Sequence, residues 1–299
     1  MEIGYGLLGR EDLEAASEPK SVFSDKRERG SALIIAGSIG YHGAPALAML
    51  ATCNVLASLR VGAGYAKLYV PKAILNPVRA VSPNTIVEAL GKDEIACNRE
   101  ILGAVERSDA IAIGMGIGKA RRAMAAAGRI VRHAASHGKP IVVDADAIQC
   151  LGRLARRHET SRYIIATPHD GEFFRLTGIR PHEKNLDARV KTAVVWASKL
   201  GITLVLKGHY SVVTDGKRIK VNIARTSALA TMGTGDVLSG IICGYAATGA
   251  DAFTAACAGV YLHSNIGDRL AAKMGNHIIA TDVVDAIPLA IKEFDKNIQ

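Results

Sequence analysis

Hydrophobic residues along the chain form short runs that alternate with helical patterns. The runs are rich in β-branched residues, and several are apolar at nearly every position, as in strands covered on both faces of a sheet. We predict strands at residues 31–38, 65–71, 85–90, 110–116, 140–146, 163–170 and 202–209. Helical patterns lie between them, including residues 44–60, 119–137 and 185–200. This alternation predicts an α/β fold with a central, mostly parallel sheet and helices on both faces.

One stretch departs from the alternation. Residues 211–222 hold two β-like runs around Asp215-Gly216, a pair that favours a tight turn, and they predict a β-hairpin. Beyond it the chain is helical and largely apolar. Because no linker, repeat or change in composition interrupts the pattern, we predict a single domain over residues 1–299. Within that domain, residues 1–29 are expected to form a peripheral N-terminal arm.

Composition narrows the classes of protein. With 299 residues, 49% hydrophobic and 22% charged, the chain can bury a large core. No signal-peptide pattern is present, and the longest apolar stretch is too short to cross a bilayer, so we expect a cytoplasmic protein. The net charge of +9 admits anionic partners. The basic residues of the chain are dispersed, and they lack the interleaved aromatic residues that proteins use to bind single-stranded nucleic acid. This pattern favours small anionic ligands over nucleic acid.

Glycine-rich and polar segments follow the predicted strands, where ligands bind in open α/β sheets. They are GSIGYHGA (37–44), GMGIG (114–118), DAD (144–146), TPHDGE (167–172) and KGHYS (207–211). Each alone is explained equally well by a tight turn, a helix cap or a surface residue. Their shared position at one edge of the sheet predicts a nucleotide site with a second ligand beside it.

The segment ATMGTGDVLSGII, residues 230–242, places an acid between a glycine turn and an apolar helix. Gly233 and Gly235 allow the backbone to approach a ligand closely, and the first N–H groups of a helix favour an anion. Asp236 is therefore positioned to act on a group beside a phosphate. The alternative is a carboxylate that only stabilises the helix start.

Several common site motifs are missing from the sequence. There is no GxxxxGK[ST] phosphate loop, no GxGxxG dinucleotide fingerprint and no GxSxG nucleophile elbow, and the sequence shows neither HExxH nor a Cys/His ligand cluster. These absences argue against P-loop chemistry, Rossmann-type dinucleotide binding and serine-hydrolase chemistry, and from the sequence alone we expect no zinc site.

The ordered motifs together resemble one family. AGSIGYHGA, GMGIG, VVDADAI, TPHDGEFFRLTG, LKGHYSVVTDG, ATMGTGDVLSGIICGY and a later VYLH are similar to the ADP/ATP-dependent NAD(P)H-hydrate dehydratases of the ribokinase-like superfamily. The likeness covers roughly residues 30–290. GTGD by itself marks only the superfamily, sugar and vitamin kinases included, whereas TPHDGE followed by KG and GTGD is more specific.

The resemblance implies a ribokinase-like fold and a lyase that repairs hydrated NADH and NADPH. ADP or ATP phosphorylates the C6 hydroxyl of the S epimer, and phosphate then leaves. Asp236 would be the general base. The hydrated dinucleotide would contact Ala44, Gly118, His169 and Asp236. The adenine nucleotide would contact Lys207, Gly208, His209, Tyr210, Ser211, Gly233, Thr234 and Gly235. Mg²⁺ would bridge the phosphates, with Asp146 and Glu172 near it through water; for Glu172 a helix-start role is equally consistent.

The resemblance also implies partners. A separate epimerase would interconvert the two hydrates, the chain would assemble as a homotetramer, and ADP is the expected donor with ATP as the alternative. The main competing function is a kinase of the same superfamily that phosphorylates a thiazole or pyrimidine alcohol and stops at the ester. A third hypothesis is a nucleotide-sensing protein without turnover. Such a protein would be expected to have lost the catalytic base, and the presence of Asp236 argues against it.

Two departures from the family pattern lie close to the GTGD motif. Arg225, Thr226 and Ser227 replace the usual glycine, asparagine and proline, and Met232 replaces the usual glycine. We expect them to affect the loop on the nucleotide side and donor preference, without removing activity.

Overall fold

The computed structural model describes residues 4–17, 25–26, 28–40 and 53–294. These residues form ten strands in one sheet: β1 (Gly6–Leu7), β2 (Ser31–Ile35), β3 (Tyr65–Val70), β4 (Ile86–Ala89), β5 (Ala110–Ile113), β6 (Ile141–Val143), β7 (Ile164–Ala166), β8 (Thr203–Leu206), β9 (Tyr210–Thr214) and β10 (Ile219–Ile223). All seven strands predicted from the hydrophobic runs are present. Each is shorter than predicted, because the polar and glycine residues at its end belong to loops.

The strand order is β1-β10-β9-β8-β7-β6-β5-β2-β3-β4. Strand β9 runs antiparallel to both β8 and β10, and every other pairing is parallel. The predicted mostly parallel sheet and the hairpin of β9 and β10 are both confirmed. Strand β1 was not predicted, since two residues carry no periodicity; it adds the N-terminal segment to the sheet edge beside β10.

Eleven helices cover the sheet in the described part of the chain. They are α1 (Arg10–Ala16), α2 (53–60), α3 (Leu75–Arg79), α4 (Arg99–Arg107), α5 (Arg121–Ser136), α6 (Ile148–Arg156), α7 (Asp170–Thr177), α8 (Leu186–Leu200), α9 (Thr234–Ala247), α10 (Ala252–Met274) and α11 (Ala280–Lys292). Residues 44–52 of the helix predicted over 44–60 lie outside the described residues. Of the helices described, none is both long and apolar enough to span a membrane.

Alternation along the strands divides the core into two layers. In β2, Ala32 and Ile34 pack with α9, α10 and α11 on one face. Leu33 and Ile35 pack with helices α4 to α8 on the other. Covering of both faces explains why the strands are apolar at nearly every position. The connections of the parallel strands bring their carboxyl ends to one edge, which is where the candidate site forms.

Helix α9 crosses α2 at very short range, and two glycines allow it. A Cβ at Gly240 would collide with the carbonyl oxygen of Asn54, and one at Gly244 would collide with Val61. The Ser58 hydroxyl donates to the Gly240 carbonyl at 2.8 Å across this contact. The apolar run after Asp236 is therefore held at a fixed depth in the core.

Candidate active site

The start of α9 is fixed by a glycine turn and by two hydrogen bonds. Gly233 precedes the helix with φ +89°, a conformation that favours glycine. The Thr234 hydroxyl donates to the carbonyl of Leu229 at 2.7 Å, which closes the turn before the helix. The buried amide of Asn54 donates to the Asp236 carbonyl at 2.9 Å. The predicted glycine turn and helix start are thus a rigid unit.

His263 supports the same turn from α10. Its Nε2 lies 2.9 Å from the Thr234 carbonyl oxygen, which can only accept, so Nε2 carries the hydrogen. Burial lowers the pKa of His263 to about 4, more than the hydrogen bond to Thr234 offsets. The imidazole is therefore neutral and holds the backbone beside Asp236 without adding charge.

A buried carboxylate lies next to this turn. Asp144 follows β6, is 2% exposed, and accepts hydrogen bonds from Lys207 Nζ at 3.1 Å and from the Ser239 hydroxyl at 2.6 Å. Burial opposes ionisation, but the Lys207 ammonium and the Ser239 hydroxyl outweigh it and hold the pKa of Asp144 below its ordinary value. Asp144 is thus an anion that anchors Lys207.

Asp236 lies in the same environment, but its pKa is raised where that of Asp144 is lowered. Burial and the neighbouring Asp144 carboxylate raise its pKa to about 7, and Lys207 offsets only part of that rise. A carboxylate with a pKa close to neutrality is suited to accept a proton and later release it. The raised pKa suits Asp236 to a catalytic role, and its position at the start of α9 suits a helix-start role equally.

Lys207 links the two carboxylates. Burial disfavours its charge, but Asp144, Glu172 and Asp236 together raise the pKa of the ammonium above its ordinary value. A Cβ placed on Gly235 would lie 3.4 Å from Lys207 Nζ, so the ammonium sits directly against the glycine turn. This position suits a lysine that neutralises charge on a phosphoryl group bound at the turn.

The segment 207–211 is organised by a buried arginine. Arg189 on α8 is 1% exposed and donates to both carboxylate oxygens of Asp170, at 2.7 and 3.1 Å. It also donates to the carbonyls of Lys207 and Tyr210, at 2.8 and 2.7 Å. A Cβ at Gly208 would meet the guanidinium at 2.5 Å, so this glycine makes room for Arg189.

The rest of this segment lies at the surface of the same edge. Gly208 and His209 are exposed, and the His209 ring packs edge-on against Tyr210 with centroids 4.6 Å apart. The Ser211 hydroxyl donates to the Gly208 carbonyl at 3.0 Å. Gly208 and His209 thus form an exposed turn between Lys207 and β9, which begins at Tyr210.

Gly118, one of the residues predicted to contact the dinucleotide, lies in the loop after β5. Gly118 has φ +80°, and its N–H donates to the Asp146 carboxylate at 3.0 Å. Ser38 belongs to the loop after β2 and donates to the Gly116 carbonyl at 2.9 Å. Gly118 and Asp146 are therefore neighbours. Ala44, predicted to contact the dinucleotide, lies outside the described residues.

His169 and Glu172 form a reciprocal cap at the start of α7. His169 Nδ1 accepts the N–H groups of Gly171 and Glu172 at 3.0 and 3.3 Å, and Glu172 accepts the His169 N–H at 2.9 Å. The side chain of His169 remains 54% exposed, whereas that of Glu172 is 11% exposed. Glu172 also acts electrostatically on Asp236 and Lys207. The helix-start role of Glu172 and its proximity to the site therefore coexist.

The carboxylates at the sheet edge suit magnesium held through water. Mg²⁺ prefers oxygen ligands and usually keeps several waters while binding substrate phosphates. Within the described residues, Asp144, Asp146, Glu172 and Asp236 supply no set of three ligand atoms within 4.8 Å of one another. These four carboxylates therefore do not form a compact set of three metal ligands in the described part of the chain.

The segment that departs from the family pattern has its own local order. The Thr226 hydroxyl accepts the Ala228 N–H at 3.1 Å, a turn that replaces the one expected from glycine, asparagine and proline. Leu229 packs into the space left by Gly267 on α10. Met232 is 74% exposed beside the glycine turn.

Three residues that organise the candidate site do not stand out in the sequence. Asp144 lies at a strand end, where a helix cap explains it equally well, and Ser239 and Arg189 belong to no motif. Ser239 follows Asp236 by three residues, so it lies on the same face of α9. That spacing is a usable signal. Nothing in the sequence around Arg189 distinguishes it from a surface residue of an amphipathic helix.

Comparison with known proteins identifies the family. The profile that describes NAD(P)H-hydrate dehydratase matches residues 32–289 of the chain. The chain belongs to the NAD(P)H-hydrate dehydratase family. An ADP-dependent (S)-NAD(P)H-hydrate dehydratase of Cenarchaeum symbiosum is 32% identical over 295 residues, covering 97% of this chain and 98% of that protein. A bifunctional NAD(P)H-hydrate repair enzyme of Pyrobaculum aerophilum is 31% identical, covering 96% of this chain, which spans 56% of that longer protein.

Solved structures confirm the fold of this family member. A ribokinase-like superfamily protein of Enterococcus faecalis superposes with a TM-score of 0.81 at 25% identity, covering 97% of this chain and 96% of that one. The Bacillus subtilis ADP/ATP-dependent NAD(P)H-hydrate dehydratase, co-crystallised with ATP and Mg²⁺, superposes with a TM-score of 0.78 at 24% identity, covering 98% and 99%. The predicted ribokinase-like fold is confirmed.

Proposed function

We propose that this chain catalyses the ADP- or ATP-dependent dehydration of the S epimer of hydrated NADH and NADPH. The observation that carries the proposal is Asp236, a carboxylate with a pKa of about 7 at a glycine-flanked helix start, beside a lysine. Membership of the dehydratase family supplies the substrate class. The relatives from Cenarchaeum symbiosum and Nitrosopumilus maritimus, named as ADP-dependent (S)-specific dehydratases, support the donor and the epimer.

The first step is transfer of the terminal phosphoryl group to the C6 hydroxyl. Asp236 accepts the hydroxyl proton as the oxygen attacks phosphorus, and the nucleotide leaves as AMP from ADP or as ADP from ATP. Negative charge accumulates on the transferred group. The N–H groups at Gly233–Gly235 and the start of α9, with the Lys207 ammonium, stabilise that charge.

The second step is elimination of phosphate. The lone pair of the ring nitrogen assists departure of phosphate from C6 with the electrons of the C–O bond, and loss of a proton from C5 restores the ring double bond. Phosphorylation matters because hydroxide is a poor leaving group and phosphate a good one. The products are NAD(P)H, phosphate and the shorter nucleotide.

We assign the two ligands to the residues predicted from the sequence. The hydrated dinucleotide is assigned to Ala44, Gly118, His169 and Asp236, and the adenine nucleotide to Lys207–Ser211 and Gly233–Gly235. Mg²⁺ would neutralise the phosphates, with Asp146 and Glu172 reaching it through water. Open backbone at Gly208 and the glycine turn supports this assignment.

The same proposal covers partners and assembly. A separate epimerase would supply the S hydrate from its R epimer, the cytoplasm is the expected compartment, and the chain is expected to form a homotetramer. Light scattering coupled to size exclusion measures the assembly directly. A monomer would contradict that part of the proposal and leave the reaction untouched.

Product analysis tests the proposed reaction against the kinase alternative. Chemically hydrated NADH is incubated with the protein, Mg²⁺ and either ADP or ATP, and the products are separated. We expect equal amounts of NADH, phosphate and the shortened nucleotide, with one donor preferred. A stable phosphate ester without NADH, or turnover only with thiazole or pyrimidine alcohols, would contradict the dehydratase assignment.

A further inference from the structure

Three ligand-type side chains meet at the end of the molecule opposite the candidate active site. His133 lies in the last turn of α5, His137 caps that helix, and Glu106 lies in the last turn of α4. One nitrogen or oxygen atom from each lies within 4.8 Å of the others, and this is the one such group in the described part of the chain. Helix α5 ends just before β6 begins, so the group sits at the amino ends of the strands.

The distances suit a metal ion bound between the three side chains. Glu106 Oε1 lies 2.9 Å from His133 Nε2 and 3.8 Å from His137 Nε2. Ligand atoms about 2.0–2.2 Å from a tetrahedral zinc ion are separated by roughly 3.3–3.5 Å. The observed separations bracket that value. A small shift of side chains admits the ion once the hydrogen that His133 Nε2 shares with Glu106 has moved to Nδ1 of the ring or to solvent.

The tautomer of His137 is already set for binding. Its Nδ1 lies 2.8 Å from the His133 carbonyl oxygen, which can only accept, so the hydrogen is on Nδ1. In the neutral ring this leaves the lone pair on Nε2, the atom that faces Glu106. A backbone carbonyl that receives the other ring hydrogen is a common second-shell partner of metal-binding histidines.

The electrostatics of the two helix ends also favour a cation. The carbonyl ends of α4 and α5 both carry partial negative charge, and both converge on this group. The nearby Arg132 guanidinium is engaged by Glu159 at 3.1 Å. The side chains of His133, His137 and Glu106 are 21%, 45% and 49% exposed, which leaves room for water as a fourth ligand.

We propose that Glu106, His133 and His137 form a divalent transition-metal site, with zinc as the best-matched ion, that joins the carboxyl ends of α4 and α5. Two imidazoles and one carboxylate with an open position are a donor set that zinc accepts readily. The site is structural, because it lies at the sheet edge remote from Asp236. Bound metal would stabilise the contact between α4 and α5 through linkage to the folded state.

Titration of tag-free protein with Zn²⁺ tests this proposal. We expect one equivalent to bind, and His137→Ala and Glu106→Gln each to weaken binding by about tenfold or more. His182→Ala is the matched control, an exposed histidine outside the group, and should leave affinity unchanged. All three positions are exposed, so the variants should fold, which circular dichroism verifies.

Thermal unfolding gives an independent readout that does not depend on activity. Zn²⁺ should raise the Tm of the parent protein and of His182→Ala, and should raise it less in His137→Ala and Glu106→Gln. Equal affinity and equal Tm shifts in all four proteins, or no binding to the parent, would overturn the site. In that case the three side chains form only a hydrogen-bonded group at the helix ends.

Discussion

Two carboxylates, Asp144 and Asp236, are both influenced by the Lys207 ammonium, and their surroundings move their pKa values apart. Asp144 receives hydrogen bonds from Lys207 and Ser239 and stays ionised. Within the described residues, the Asp236 carboxylate accepts no such pair of hydrogen bonds, and the charge of Asp144 adds to the cost of its own ionisation. One acid is therefore a permanent anion that holds Lys207, while the other is free to exchange a proton near neutral pH.

The raised pKa of Asp236 predicts the pH dependence of the reaction. Because the base must be deprotonated, kcat/KM should increase with pH through an apparent pKa near 7 and level off above it. Lys207→Met removes the charge that favours the Asp236 carboxylate, so the acid limb should move to higher pH. The exposed Lys191 on α8 provides the control variant Lys191→Met, which should leave the limb in place.

Steady-state rates between pH 5 and 9 measure this effect. An acid limb near pH 4 in the parent protein, or a limb that Lys207→Met leaves unchanged, would contradict the assignment of the base. Lower activity of Lys207→Met alone would not decide the matter, because Lys207 is also expected to contact phosphate.

At the scale of elements, the position of α9 decides where Asp236 lies. Helix α2 supports it through Gly240, Gly244 and the hydrogen bonds from Asn54 and Ser58. The sequence predicted α9 and a helix through 44–60 from their apolar stripes. It did not predict their contact, because two glycines in an apolar helix are equally compatible with other packing partners.

The tight contact predicts a large difference between two glycine-to-alanine variants. In Gly240→Ala the new Cβ would meet the backbone of Asn54, which cannot move easily, so the free energy of unfolding should fall by about 2–3 kcal/mol. In Gly128→Ala, within α5, the nearest atom is the Cβ of Cys150 at 3.7 Å, an ordinary contact. That variant should be neutral or gain up to about 1 kcal/mol from helix propensity.

Denaturant unfolding of the two variants checks this prediction. If Gly240→Ala were as stable as the parent protein, α9 and α2 would not pack at the distance described. The measurement also bears on the site, since displacement of α9 moves Asp236 and should reduce activity together with stability.

At the scale of the whole molecule, the sequence predicts that the candidate site lies at one edge of the sheet, because that position depends on local sequence signals. Gly233–Asp236 and the segments after the strands could be placed together, since parallel strands bring their carboxyl ends to one side. What required the structure were interactions between distant elements. Arg189 reads as an ordinary helix residue, yet it is buried and binds Asp170 and two carbonyls of the Lys207 loop. For His169 the sequence predicts a contact with the ligand. Its capping of α7 could not be predicted, because that role depends on backbone geometry.

The measurement that tests the central claim most directly is the repair rate of Asp236→Asn. Recovery of dihydronicotinamide absorbance from hydrated NADH is followed with Mg²⁺ and the preferred donor, for the variant and the parent protein in parallel. Asparagine keeps the shape and cannot accept the proton, so the account predicts a loss of about 10²–10⁴-fold in kcat with unchanged thermal unfolding at low pH. A folded variant that retains activity within about tenfold would contradict the role of Asp236 as general base.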